Sequence, residues 1–142
     1  MTRLLTRAQA GAAGLLAQPV LGLAARLALV SAYLLGGTVK LLDWPGAIAE
    51  QAHFGLTPPA LFAALTIAVE LLGAVLLLTR RWAWLGAGML GVFTLLAAII
   101  ANNFWAMEGV ERFMARNAFF EHLGLIGGLF LAAALTERER QA

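Results

Sequence analysis

The run TIAVELLGAVLLL, residues 66 to 78, holds a carboxylate, Glu70, inside otherwise apolar sequence. Extended back to Ala60 it approaches the roughly 20 apolar residues that a helix needs to cross a bilayer. A charge near the centre of such a helix costs roughly 2.5 to 3.5 kcal/mol on the insertion scale. The run therefore decides the fold class, and it asks what holds Glu70. On its helical face stand Ala63, Thr66, Gly73 and Ala74, small residues that leave room for a partner side chain, a water or a ligand.

The whole chain repeats this character. Of its 142 residues 61% are hydrophobic and 13% charged, with a mean hydropathy of +0.83. Soluble domains are near half apolar and about a quarter charged, so the bilayer is the expected solvent. The absence of cysteine excludes disulfide exchange, thiolate metal sites and a cysteine nucleophile in this chain. A net charge of +2 without a basic patch gives no reason to expect nucleic acid. No pair of histidines stands at ligand spacing, so no metal site is expected.

The expected architecture is all-α: an integral membrane four-helix bundle over residues 20–135, with spans of about 20–42, 60–78, 82–101 and 118–135. Asp43-Trp44-Pro45 supplies an N-cap and a first-turn proline, which predicts a short interfacial helix through His53, stopped by Gly55 and Pro58-Pro59. Thr79-Arg80-Arg81 is a tight connection, and the polar stretch 102–117 is read as a linker. Residues 1–19 are read as a cytoplasmic or interfacial leader with no convincing signal-peptidase site, and 136–142 as a cytoplasmic tail. Arg3, Arg7, Arg80, Arg81, Arg138 and Arg140 fall on one side; Lys40, Arg112 and Arg116 fall on the other. This asymmetry predicts that both termini are cytoplasmic. Small residues at four-residue spacing (Ala28, Ala32, Gly36; Ala60, Ala64, Ala68; Ala83, Ala87, Gly91; Gly124, Gly128, Ala132) suggest close helix approach.

The remaining polar residues supply candidate sites. Arg26, Tyr33, Gly37 and Lys40 share one stripe of the first span. Counted by residue depth, Arg26 lies within reach of Glu70, which predicts an intramembrane Arg26–Glu70 ion pair. Lys40 is expected to meet Glu121 near the outer face, so that one polar track runs from Arg26 and Glu70 at mid-depth to Lys40, Asn102, Glu121 and His122. Candidate ligand-binding residues are thus Arg26, Tyr33, Lys40, Glu70, Asn102, Glu121 and His122, with Glu70 and His122 able to exchange protons. Each has a plainer alternative. Arg26 can snorkel to the headgroups, Glu121 suits a helix first turn, and Glu70 can serve structure alone.

RLALVSAYLLGGTVKLLD (26–43), HFGLTPP (53–59), IAVELLGAVLLL (67–78), ANNFW (101–105) and NAFFEHLGLIGGLF (117–130) together resemble DoxX-type membrane proteins over most of residues 22–135. The resemblance implies a four-helix bundle in a bacterial-type inner membrane. It marks Arg26, Gly37, Lys40, Glu70 and the segment 117–122 as polar positions of interest. Many members carry a histidine near the end of the third helix; this chain has Asn102-Asn103, so a proton or metal role there does not carry over. The family takes its name from a membrane subunit of a thiosulfate:quinone oxidoreductase, and wider relatives reduce quinones through a cysteine pair that this chain lacks.

Three functions follow as expectations. The first is a quinone-interacting or anchoring subunit of a membrane redox complex. Arg26, Lys40 or Tyr33 would donate to a quinone carbonyl, and a redox partner subunit would bring the electrons, since no flavin, haem or iron–sulfur signature is present. No covalently bound cofactor is expected. The second is a non-catalytic scaffold or assembly factor, with the ion pair fixing helix register. The third is a small-solute carrier, for which a homo-oligomer would enlarge the path.

Overall fold

In a computed structural model, residues 2–141 are described, with side chains from Ala8 onward. The side chains of Arg3 and Arg7 lie outside the described residues. The helices are α1 (Thr2–Leu16), α2 (Pro19–Leu42), α3 (Trp44–His53), α4 (Pro59–Leu78), α5 (Ala83–Ala101) and α6 (Gly109–Gln141), with a 3-10 turn at Phe104–Ala106. Four of them, α2, α4, α5 and α6, are long and apolar enough to cross a membrane. The protein is an all-helical membrane bundle of four spans.

Local sequence sets the breaks. Proline opens α2 and α4, where its missing N–H is not needed. The Asp43 carboxylate accepts from the Gly46 N–H at 3.1 Å and caps α3, and a Cβ on Gly46 would overlap that carboxylate. Gly55, at φ +73°, takes the chain out of α3 in a conformation that side chains resist. In the α4–α5 connection the Thr79 hydroxyl donates to the Leu76 carbonyl at 2.7 Å and accepts from the Trp82 N–H at 3.2 Å.

The last helix differs from expectation. It begins at Gly109, not near Ala118, and continues through the tail to Gln141, 33 residues in all. That is about 50 Å of helix against a hydrocarbon core of about 30 Å. Hydropathy marks where a helix is apolar, not where its backbone hydrogen bonds stop. Glu111, Arg112 and Arg116 are exposed on a part of α6 beyond its apolar stretch. The turn before it is held by edge-to-face aromatics: Phe104 lies 5.5 Å and Trp105 5.9 Å from Phe119, ring centre to ring centre.

Helix α4 packs between α2 and α5, and α5 between α4 and α6, around Val30, Leu77, Leu90 and Leu129. The closest approach is between α4 and α5. A Cβ on Gly86 would overlap the backbone of Gly73 and Leu77, and one on Gly73 would lie 2.8 Å from the Leu90 side chain. Of the small-residue stripes, Ala83, Ala87 and Gly91 are buried, whereas Ala60, Ala64 and Ala68 are exposed. The buried face of α4 is Ala63, Ile67, Glu70, Gly73, Ala74 and Leu77. An alanine-rich helix carries small residues on several faces, so spacing alone does not select the packed one.

Replacing Gly86 with leucine should therefore lower stability by at least about 1–3 kcal/mol, read as an earlier thermal transition in detergent. Gly124→Ala, where a Cβ meets nothing within 4 Å, should leave the transition in place. Equal transitions for both variants would remove Gly86 from the packing argument.

Candidate functional site: a polar pocket beneath α3

The start of α2, the α4–α5 connection and the end of α6 share one end of the bundle; α3 covers the other. The direction of side chains between these ends decides the ion pairs. In any helix the Cα–Cβ bond tilts toward the N-terminus. Lys40, near the α3 end of α2, therefore reaches back down over Gly36 toward the middle. Glu70, on antiparallel α4, tilts up to meet it. Lys40 Nζ stands 3.4 Å from both oxygens of Glu70 and 3.8 Å from Glu50 on α3. The Glu70 side chain is 8% exposed and that of Lys40 17%. Two glycines make this possible. A Cβ on Gly36 would sit 3.2 Å from a Glu70 oxygen and 3.5 Å from Lys40 Nζ, and one on Gly37 would press 2.8 Å from Leu71.

Arg26 tilts the other way. Its guanidinium binds Glu139 at 2.8 Å, at the opposite end of the bundle, and the Glu139 carbonyl also accepts from Arg80 at 3.1 Å. The expected Arg26–Glu70 pair is thus corrected: matching the Cα depths ignored the direction in which each side chain leaves its helix. The expected meeting of Lys40 with Glu121 is corrected likewise. Glu121 is exposed on α6, while Lys40 is engaged by Glu70 and Glu50.

Beside the Lys40–Glu70 pair lies a cavity of about 480 Å³, within the range of small-molecule sites. It brings together Tyr33, Lys40, Glu70 and His122 from the sequence candidates. Arg26, Asn102 and Glu121 do not line it; Asn102 instead closes α5, its N–H donating to the Ala98 carbonyl. The cavity adds Glu50 and Gln51 from α3, Thr66 and Thr94, and an aromatic wall of Phe54, Phe62 and Phe93. Sequence reading missed the α3 residues because α3 looked like a surface helix. The signal available was Gln51, a polar residue one turn from Ala47 on the apolar side of that helix; both are buried.

The hydrogen bonds fix proton positions. Thr94 donates to the Leu90 carbonyl at 2.6 Å, which commits its only proton. The Tyr33 hydroxyl, 2.6 Å from Thr94 Oγ1, must then be the donor of that contact. Tyr33 offers the cavity a lone pair and not a proton, and it braces Phe93 edge-on at 6.5 Å. His122 Nδ1 lies 2.6 Å from the Ala118 carbonyl. A carbonyl only accepts, so Nδ1 carries the proton, and in the neutral ring Nε2 is the acceptor. Gln51 lines the cavity, and since no sealed side-chain polar atom among the described residues lacks a partner, its amide, which makes no hydrogen bond to them, is open to the cavity. The cavity thus combines a cation, a buried carboxylate, a free amide and a protonatable imidazole on an aromatic wall. Among the described residues no cluster of three His, Asp or Glu stands together as a metal site.

A bundle of four spans with a charged pair and a cavity inside defines a class of small polytopic membrane proteins. Within it, residues 21–103 match the DoxX family model, and the chain belongs to the DoxX family. It is also 29% identical over 120 residues to the inner membrane protein YphA of Escherichia coli K12, an alignment covering 84% of this chain and 85% of that one. No solved structure matches.

Truncating one partner of the buried pair leaves an uncompensated charge, at about 3–5 kcal/mol. Lys40→Met should therefore destabilise strongly in a detergent melt, and Lys40→Met combined with Glu70→Leu should recover most of the loss. Arg26→Gln, whose partner Glu139 is 50% exposed, should cost about 1 kcal/mol or less. The reverse ranking would restore Arg26 as the partner of Glu70.

Proposed function

We propose that this protein is an inner-membrane subunit that binds a quinone in the cavity beside Lys40 and Glu70. The observation that carries the reading is the composition of that one cavity: an aromatic wall facing a small set of donors and acceptors at membrane depth. A planar ring suits Phe54, Phe62 and Phe93. Its carbonyl oxygens need donors, which Lys40 and the Gln51 amide supply. Arg26 is too far away to donate, and Tyr33 spends its proton on Thr94.

Reduction of a quinone to its quinol adds two electrons and two protons. On this reading the electrons come from a redox partner subunit. His122, as imidazolium, gives a proton to a quinone oxygen from Nε2 and is left as the neutral ring with Nδ1–H on Ala118. The second proton comes from the Glu70 carboxyl, which is left as a carboxylate beside Lys40, while the Lys40 ammonium keeps its positive charge near the reduced oxygen. A location in the inner membrane accords with the relative in E. coli, and the surplus of arginine at the terminal end supports a reading with both termini in the cytoplasm.

The test is chemical. Protein purified from native membranes in mild detergent should carry quinone near one per chain, measured by extraction and chromatography. His122→Leu should lower the content at least five-fold while the melt stays near wild type. Wild-type protein without quinone, across several detergents, would overturn the reading and turn attention to a scaffold or carrier. A periplasm-active reporter fused after Gln141 should be silent; an active fusion would invert the topology.

A further inference from the structure

The cavity adjoins a second hollow, with which it shares part of its lining. A groove of about 510 Å³ runs along the lipid-facing side of α4 and α5, and it shares Phe62, Thr66, Phe93 and Leu96 with the cavity. From these shared residues it extends past Leu65 and Val69 on α4 and past Val92 and Met89 to Gly88 on α5. Thr66 is the one polar side chain along it. Leu65, Val92 and Leu96 are exposed on the bundle surface, so the groove opens to the bilayer and not to water. Gly88 lies at the end away from the cavity, and a Cβ there would meet no atom within 4 Å. From Leu96 to Gly88 the groove covers about 12 Å of helix.

A polar, aromatic-walled cavity beside an apolar groove that shares four of its lining residues matches the form of an amphiphile: a head with hydrogen-bonding groups and a hydrocarbon chain. We infer that the α4–α5 groove holds the isoprenoid tail of the quinone whose head occupies the cavity, and that the ligand enters sideways from the bilayer past Phe62 and Leu96. This rests on the quinone reading above and narrows it to long-tailed quinones. The tail contributes burial of apolar surface and the head contributes orientation, so affinity should rise with tail length until the groove is filled.

Gly88 supplies the test, because the open space above it lets a large side chain fill the groove without disturbing helix packing. Purified protein in detergent would be titrated with a one-isoprene-unit ubiquinone and with a long-tailed ubiquinone, for wild type and Gly88→Phe. Wild type should bind the long-tailed compound at least ten-fold more tightly. Gly88→Phe should lose most of that advantage while binding the short compound as wild type does and melting at the same temperature. A tail preference unchanged in Gly88→Phe, with both compounds still bound, would overturn the groove assignment and leave the cavity reading standing, the groove then being filled by ordinary lipid chains. Failure of wild type to bind either compound would overturn the cavity reading and this inference with it. Should Gly88→Phe melt early, Met89→Trp from the same groove replaces it, with the same two outcomes.

Discussion

A carboxylate halfway down a transmembrane helix is tolerated only when another group neutralises or solvates it, and in this bundle Lys40 does so. Much of the surrounding structure serves that contact. Gly36 and Gly37 strip side chains from α2 where Glu70 and Leu71 pass. The small residues around Glu70 on α4 keep the carboxylate from being crowded. Helix α3 folds back over the bundle end and brings Glu50 to the far side of the ammonium. The result is one cation between two carboxylates, all three of which line the cavity.

The cavity exists because the polar pair and the helix packing make different demands. Helices α4 and α5 touch most closely at Gly73 and Gly86, well toward the terminal end. Above that crossing they carry phenylalanine and threonine side chains, and the space between them is filled less completely. Phe62, Thr66, Phe93 and Thr94 line what remains. The Tyr33–Thr94 hydrogen bond ties α2 to α5 across this space, so these two hydroxyls on its wall are already engaged. The groups left over for a ligand are those on its rim: Lys40, Gln51 and His122.

The two ion pairs play different parts. Arg26–Glu139 sits at the terminal end with a half-exposed carboxylate, where salt and water weaken it. It ties α2 to the end of α6, with Arg80 joining from the α4–α5 connection. Lys40–Glu70 sits in the apolar interior, where removing either partner strands the other. Arginine and lysine thus exchange the roles that a count of residue depth would assign to them.

The sequence by itself determined that there are four spans, the breaks before and after the second of them, and the cap at Asp43. These follow from local rules: hydropathy over about 20 residues, proline at helix starts, glycine at helix ends. It did not determine where α6 begins, since a polar segment can be helical without being buried. Only the tertiary structure decided that Lys40 and not Arg26 holds Glu70, that Gln51 and Glu50 join the site, and that Asn102 and Glu121 stay outside it. The physical reason is directional. Two side chains at similar depth meet only if their Cα–Cβ vectors converge, and convergence depends on which helices are antiparallel neighbours and how each is rotated about its axis.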